Sequence, residues 1–385
     1  MKALVYWALS GIGGIQRFDA LLTKALLDLG LETHALIPAS IDIKNLETYH
    51  GVSIDGVRAI KYGIVKCKGP YCDLLNNIEG NIVLSNLMNE YDIIFIDTLS
   101  ITPAGRQLIK RRNYICYIHG PITTKKPRPL LTYKPNRLFL HALLNLLSDY
   151  RLISPERIFT NSLYSAILSK DILGYIPKVL HPPVDINRVM KYSSDKEPII
   201  SMLARFGSAK GWDFTLTVFK DLIHKCGIND VKLYLMGSIN NATDIRYIKY
   251  LLNLAERMGV KDRIRIFINP SINDVYKILN KSMAFIHVKP HEHFGIVVVE
   301  AMAAGAVPIV HKSGGPWLDI ISMGKYGYGY SNKEEAVEAL CKVLTSDKEF
   351  IKMSNLVRER AKYFSYEKFR DKIGNIINTI IHLEN

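Results

Sequence analysis

Residues 289–305 read Lys-Pro-His-Glu-His-Phe-Gly-Ile-Val-Val-Val-Glu-Ala-Met-Ala-Ala-Gly. Two carboxylates, Glu292 and Glu300, flank an apolar run there. Three valines in a row suit a strand. An alanine-rich continuation with glycine at both ends, Gly295 and Gly305, suits a short buried helix instead. A carboxylate inside so apolar an element is costly unless something donates hydrogen bonds to it. Sugar and ribose hydroxyls are donors of that kind.

A second group stands in Ala-Arg-Phe-Gly-Ser-Ala-Lys-Gly, residues 204–211. Arg205 and Lys210 bracket a glycine-containing turn after a strand-like run. A guanidinium fork and an ammonium point charge suit a diphosphate. Gly13 and Gly14 lie between the first strand-like and the first helix-like segment, where they serve either a close approach of backbone amides to an anion or a structural tight turn. Residue 16 is Gln, so the turn lacks the dinucleotide fingerprint, and no Gly-Lys-Ser/Thr follows to make a P-loop. His119, in Tyr-Ile-His-Gly-Pro, ends another strand-like run, and both a structural role and a substrate contact are open to it. His287, His291 and His293 are spaced as zinc ligands could be, but no Cys or carboxylate pattern completes a set. No metal and no cofactor are expected.

Positioning such groups requires strands that deliver them to one edge. The chain alternates short apolar runs with helical patterns, which argues for α/β architecture with parallel sheets. Strands are predicted over 3–7, 33–37, 92–97, 114–118 and 157–160, then over 199–203, 232–236, 264–267, 283–288 and 307–310. Helical spacing of apolar residues marks 16–29, 214–224, 245–258 and 366–383. His-Pro-Pro-Val-Asp at 181–185 breaks structure, so one Rossmann-like domain is placed at 1–185 and another at 186–365. The helix at 366–385 is expected to pack across both. Two such sheets facing each other would form a cleft, with ligands at strand carboxyl ends.

The 385 residues carry a net charge of +14, which favours phosphate-bearing partners. Between 106 and 137 nine cations (Arg106, Lys110, Arg111, Arg112, Lys125, Lys126, Arg128, Lys134, Arg137) occur without an acid. That segment reads either as a solvated loop or as a contact with a membrane surface or a pyrophosphate lipid. Nothing in it resembles a nucleic-acid motif, and no nucleic-acid partner is expected. Five scattered cysteines suggest reduced thiols and a cytoplasmic setting. No run of about 18 apolar residues occurs, so any membrane association is expected to be peripheral.

Together these residues resemble glycosyltransferase family four, retaining enzymes of the GT-B fold. The matches are Glu292 and Glu300 as its E-x7-E motif, Phe294-Gly295 and the Glu-Ala-Met-Ala-x-Gly continuation, Arg205 with Lys210, Gly13-Gly14, Asn161-Ser162 and Pro182-Pro183-Val184-Asp185. His291 to Ile296 and Ser313-Gly314-Gly315-Pro316 are similar to the members that add α-1,2-mannose to dolichol-diphosphate-linked oligosaccharides from GDP-mannose. The resemblance implies roles. Arg205 and Lys210 would hold the donor diphosphate, Glu292 the sugar hydroxyls and Glu300 the ribose. Phe294 and Gly295 would lie beside them. Gly237 would let the nucleotide pass, His119 would lie near the transferred sugar, and Gly13-Gly14 would approach the phosphates. It further implies metal-independent transfer of a hexose, mannose by preference, to a glycan carried on a polyprenyl or dolichyl lipid. A UDP-sugar-dependent hexosyltransferase and a non-catalytic binder of nucleotide sugars or anionic lipids are the alternatives.

Overall fold

A computed structural model describes residues 1–7, 13–43, 51–63, 70–97, 113–120, 154–228, 230–239 and 241–382. The nine cations of the 106–137 segment lie outside the described residues. The chain divides into two compact units, Met1–Pro183 with Tyr366–Asn385, and Val184–Ser365.

In the first unit the strands are β1 (Lys2–Tyr6), β2 (Glu32–Pro38), β3 (Arg58–Tyr62), β4 (Ile93–Asp97), β5 (Tyr114–Ile118), β6 (Ile158–Thr160) and β7 (Lys178–Val179). They form a parallel sheet in the order β3-β2-β1-β4-β5-β6-β7. Its helices include α1 (Gly14–Asp28), α2 (Pro70–Leu87) and α3 (Leu163–Leu173). The predicted interior strands are present. The short outer strands β3 and β7 escape the pattern because β3 is largely exposed and β7 has two residues.

The second unit holds β8 (Glu197–Leu203), β9 (Lys232–Gly237), β10 (Ile264–Ile268), β11 (Ser282–His287), β12 (Val307–His311) and β13 (Tyr328–Tyr330), again all parallel, in the order β10-β9-β8-β11-β12-β13. Its helices are α4 (Ile186–Met190), α5 (Trp212–Cys226), α6 (Ala242–Arg257), α7 (Ile272–Lys281), α8 (Ile296–Ala303), α9 (Lys333–Thr345) and α10 (Asp347–Ala361). One apolar core runs through both faces of this sheet, and β11 and β12 are buried along almost their whole length. Such strands read as continuous apolar runs because helices cover both faces.

The last helix, α11 (Tyr366–His382), belongs to the first unit. Its Tyr366, Phe369, Ile373, Ile377 and Ile380 recur at helical spacing and join the core under α1. Phe369 meets Phe18 edge-on at 5.7 Å, and the Tyr366 hydroxyl donates to Asp28 at 2.6 Å.

One expectation needs correction. The cysteines are not all unpaired: Cys226, which ends α5, and Cys341, within α9, form a disulfide with Cα atoms 6.0 Å apart. Helices α5 and α9 lie side by side, so residues 115 positions apart in sequence become neighbours. Sequence spacing gives no hint of that pairing.

Candidate active site

The order of the second sheet marks its candidate ligand crevice. The chain runs outward from β8 through β9 to β10, then returns and runs the other way from β11. Between β8 and β11 the connections leave in opposite directions, and their carboxyl ends open a crevice there. The segment after β8 carries Arg205 and Lys210. The segment after β11 carries Lys289, Glu292 and Gly295.

The turn after β8 is built to hold a fixed shape. Ala204 N–H donates to Met236 O at 3.1 Å and Phe206 N–H to Ser238 O at 2.9 Å. Phe206 is buried and stacks on Trp212 at 4.7 Å, and the Trp212 indole donates to Arg205 O at 3.2 Å. This anchoring leaves the Arg205 side chain exposed and Lys210 half-buried. Gly211 takes a left-handed conformation (φ 72°) to start α5, and an added β-carbon would lie 2.7 Å from Val288 Cγ2. The two strand-end segments therefore touch.

Gly237 closes β9 for a reason of its own. A β-carbon there would sit 2.4 Å from Ala204 O and 2.8 Å from the Phe206 ring. The glycine lets the Arg205 turn cross the strand end, a packing demand within the chain that the family resemblance did not imply.

After β11, His291 adopts a left-handed backbone (φ 55°) and its N–H donates to Ser313 Oγ at 2.9 Å. Ser313 Oγ also lies 2.7 Å from His311 Nδ1. Gly315 N–H donates to Glu292 O at 2.8 Å, while a β-carbon on Gly314 would come within 2.4 Å of that same oxygen. The Ser313-Gly314-Gly315 turn thus backs the Glu292 segment directly.

The Glu292 carboxylate pairs with Lys289 Nζ at 2.8 Å and accepts from His293 N–H at 3.1 Å. Burial alone would raise its pKa. The nearby charges of Lys289, His287 and Lys210, with the Lys289 hydrogen bond, outweigh burial and hold it at about 2. Lys210 is shifted below the ordinary lysine value, first by burial, then by Lys289 and Arg205, with Glu292 opposing. Burial is also the main reason that His287 is lowered to about 4 and His293 to below the usual histidine value.

Gly295 sits at φ 92° and starts α8, so the ambiguous valine run is helical. The helix buries Glu300, which is 2% exposed, and Tyr276 OH of α7 donates to its Oε1 at 2.9 Å. The cost of burying that carboxylate is therefore met at least partly by a tyrosine, a partner missed in the sequence. Ser271 with Asp274, the capping pattern that opens α7, was the available signal. The Phe294 ring is buried in the core against Phe364 at 5.7 Å and anchors the loop beside Glu292.

In the first unit, Gly13 precedes α1 in an extended conformation (φ −172°), and Gly14 is the first residue of α1. His119 follows β5 and meets Phe18 at 5.0 Å and Tyr117 at 4.9 Å, both edge-on. Among the described residues no group of three His, Cys, Asp or Glu is arranged to hold a metal ion. No described helix is long and apolar enough to cross a membrane.

Residues 185–363 match the family model described as "Glycosyl transferases group 1". The matched span coincides with the second unit, which is therefore similar to group 1 glycosyltransferase domains. Among curated relatives, "GDP-Man:Man(3)GlcNAc(2)-PP-Dol alpha-1,2-mannosyltransferase" of Dictyostelium discoideum is 26% identical over 223 residues, 55% of this chain and 44% of that one. The protein of the same description from Homo sapiens is 24% identical over 294 residues, covering 72% and 57%. The one from Caenorhabditis elegans is 30% identical over 198 residues, 48% and 41%. The chain spans about half the length of these relatives. Among solved structures, a glycosyltransferase from Rickettsia africae superposes with a TM-score of 0.74 at 17% identity, over 99% of this chain and 98% of that one. Anabaena HepE, solved with UDP and glucose, gives 0.70 at 16% identity over 98% and 100%. The fold is thus the α/β, twin-parallel-sheet GT-B fold. The group 1 match covers the segment that holds Arg205, Lys210, Glu292 and Glu300.

Proposed function

We propose that this protein is a retaining glycosyltransferase that moves mannose from GDP-mannose to a glycan carried on a dolichyl or polyprenyl diphosphate, without a metal ion. The observation that carries the reading is the meeting of charges where the strand order of the group 1 domain reverses. The cations Arg205, Lys210 and Lys289 share that edge with the ionised Glu292. The donor and acceptor classes follow the descriptions of the mannosyltransferase relatives.

In the transfer, the bond from the sugar's anomeric carbon to the donor phosphate breaks, and one to the acceptor hydroxyl oxygen forms on the same face. The hydroxyl proton leaves with the departing phosphate oxygen. Negative charge builds on the nucleoside diphosphate as it departs, and fixed cations stabilise it more in the transition state than before it. Removing one preorganised donor of this kind typically costs about 2.7–4 kcal/mol of barrier. Glu292, ionised and half-buried, accepts from sugar hydroxyls and fixes the ring. Glu300, with Tyr276 on one oxygen, accepts from the ribose. An acceptor of this class puts the protein at a membrane surface during turnover.

The test is ligand-induced stabilisation across GDP-mannose, GDP-glucose and UDP-glucose. A ligand that binds only the folded chain adds about 2.7 kcal/mol at a hundredfold excess over its Kd. GDP-mannose should raise the melting temperature in proportion to the logarithm of its concentration, and R205A/K210A should lose that response. A flat response to all three ligands would remove the reading.

A further inference from the structure

His287 ends β11, one strand over from the Arg205 turn. It is 9% exposed, and its Nδ1 has no hydrogen-bond partner among the described residues. The backbone is well held, with His287 beside Val310 in the parallel ladder and Tyr330 OH donating to His287 O at 3.3 Å. A buried ring nitrogen without a partner destabilises a fold, and its retention in so well-packed a place calls for a reason.

The surroundings limit what that reason is. The ring feels the charges of Glu292, Lys289 and Lys210. Burial first, and the two lysines next, keep it neutral at physiological pH against the pull of Glu292. A neutral imidazole has one N–H and one bare nitrogen. Phosphate oxygens accept only, and three cations on the same edge already suit them. A hydroxyl both donates and accepts, so it satisfies Nδ1 in either tautomer.

We propose that Nδ1 of His287 takes its partner from a hydroxyl of the donor's hexose, beside Glu292, and so helps set which hexose the site accepts. The proposal rests on the nucleotide-sugar reading above. Lys210 and Arg205 answer the diphosphate, and His287, with Glu292, answers the sugar.

The test is calorimetric titration of the full chain with GDP-mannose and with GDP. In H287F the ring volume stays and both nitrogens go. GDP-mannose affinity should fall about tenfold, the worth of one good hydrogen bond, while GDP affinity should stay within about twofold. H287N, whose amide reaches toward the position of Nδ1, should keep GDP-mannose affinity within about threefold of the parent. Thermal unfolding at neutral pH should leave H287F as stable as the parent or more so, and H287L repeats the test should H287F fold poorly. Parent-like GDP-mannose binding by H287F, or an equal loss for GDP, would overturn the proposal while leaving the donor site standing. A parent chain that binds neither ligand would remove the nucleotide-sugar reading and this proposal together.

Discussion

Gly237→Ala isolates the packing that positions Arg205. The new β-carbon would lie 2.4 Å from Ala204 O and 2.8–2.9 Å from two Phe206 ring carbons. Ordinary carbon–oxygen contacts are about 3.3–3.6 Å, so strand end and turn must separate by about 1 Å. The carbonyl cannot yield alone. Hydrogen bonds from Ala204 N to Met236 O and from Phe206 N to Ser238 O clamp the residues on either side of Arg205. Overpacking against clamped backbone typically costs about 1–3 kcal/mol. Because the displaced turn carries Arg205 and Lys210, the cations proposed to hold the diphosphate, turnover should fall by up to about 100-fold, the usual effect of a 1 Å misplacement. Urea denaturation at constant m-value reads the first effect, and donor titration with initial rates reads the second. Gly259→Ala is the control, since it has φ 70° but nothing within 4 Å of the added atom. It should cost about 1–2 kcal/mol in backbone strain and leave donor binding alone. A Gly237→Ala variant with parental stability and parental affinity would refute the packing argument.

Three further outcomes follow from the site. Gly314→Ala places a β-carbon 2.4 Å from Glu292 O at φ 78°, so donor affinity measured by titration should drop at least tenfold while the global fold survives. Tyr276→Phe removes a hydrogen bond to the Glu300 carboxylate and should cost about 1.5–3 kcal/mol in chemical denaturation. Stability should also fall in acid. His287 is held at about 4 against 6.5, so the unfolded chain takes the proton first; stability is complete above pH 6.5 and declines toward pH 4 by on the order of 3 kcal/mol. Glu292, held at about 2 against 4.5, extends the loss from pH 4.5 down to about 2. His287→Phe should erase the upper part of that profile.

Much of this was legible in the sequence. The interior strands announced themselves because helices on both faces demand unbroken apolar runs, as in Ser282–His287 and Val307–His311. The Glu292 and Arg205 segments stood out because charged residues beside glycine at strand ends have few structural uses. What could not be read was contact between distant segments. Tyr276 reaches Glu300 from a helix 24 residues earlier, and Gly314 and Gly315 support Glu292 from beyond the next strand. The burial of the Phe294 ring against Phe364 likewise joins segments 70 residues apart. The packing demand at Gly237, whose missing β-carbon makes room for Ala204 and Phe206, also depends on such a contact. The cystine between Cys226 and Cys341 depends on two helices meeting, which spacing along the chain does not encode.

Transfer chemistry is expected at the reversal point of the second sheet. The most direct measurement is the initial rate of labelled mannose transfer from GDP-mannose to a dolichyl-diphosphate-linked glycan, with the chelator EDTA present, for the parent, R205A and E292A. The parent should transfer mannose with retained anomeric configuration, and each variant should lose about 100-fold or more. Parental rates in both variants, or product of inverted configuration, would contradict the proposed function.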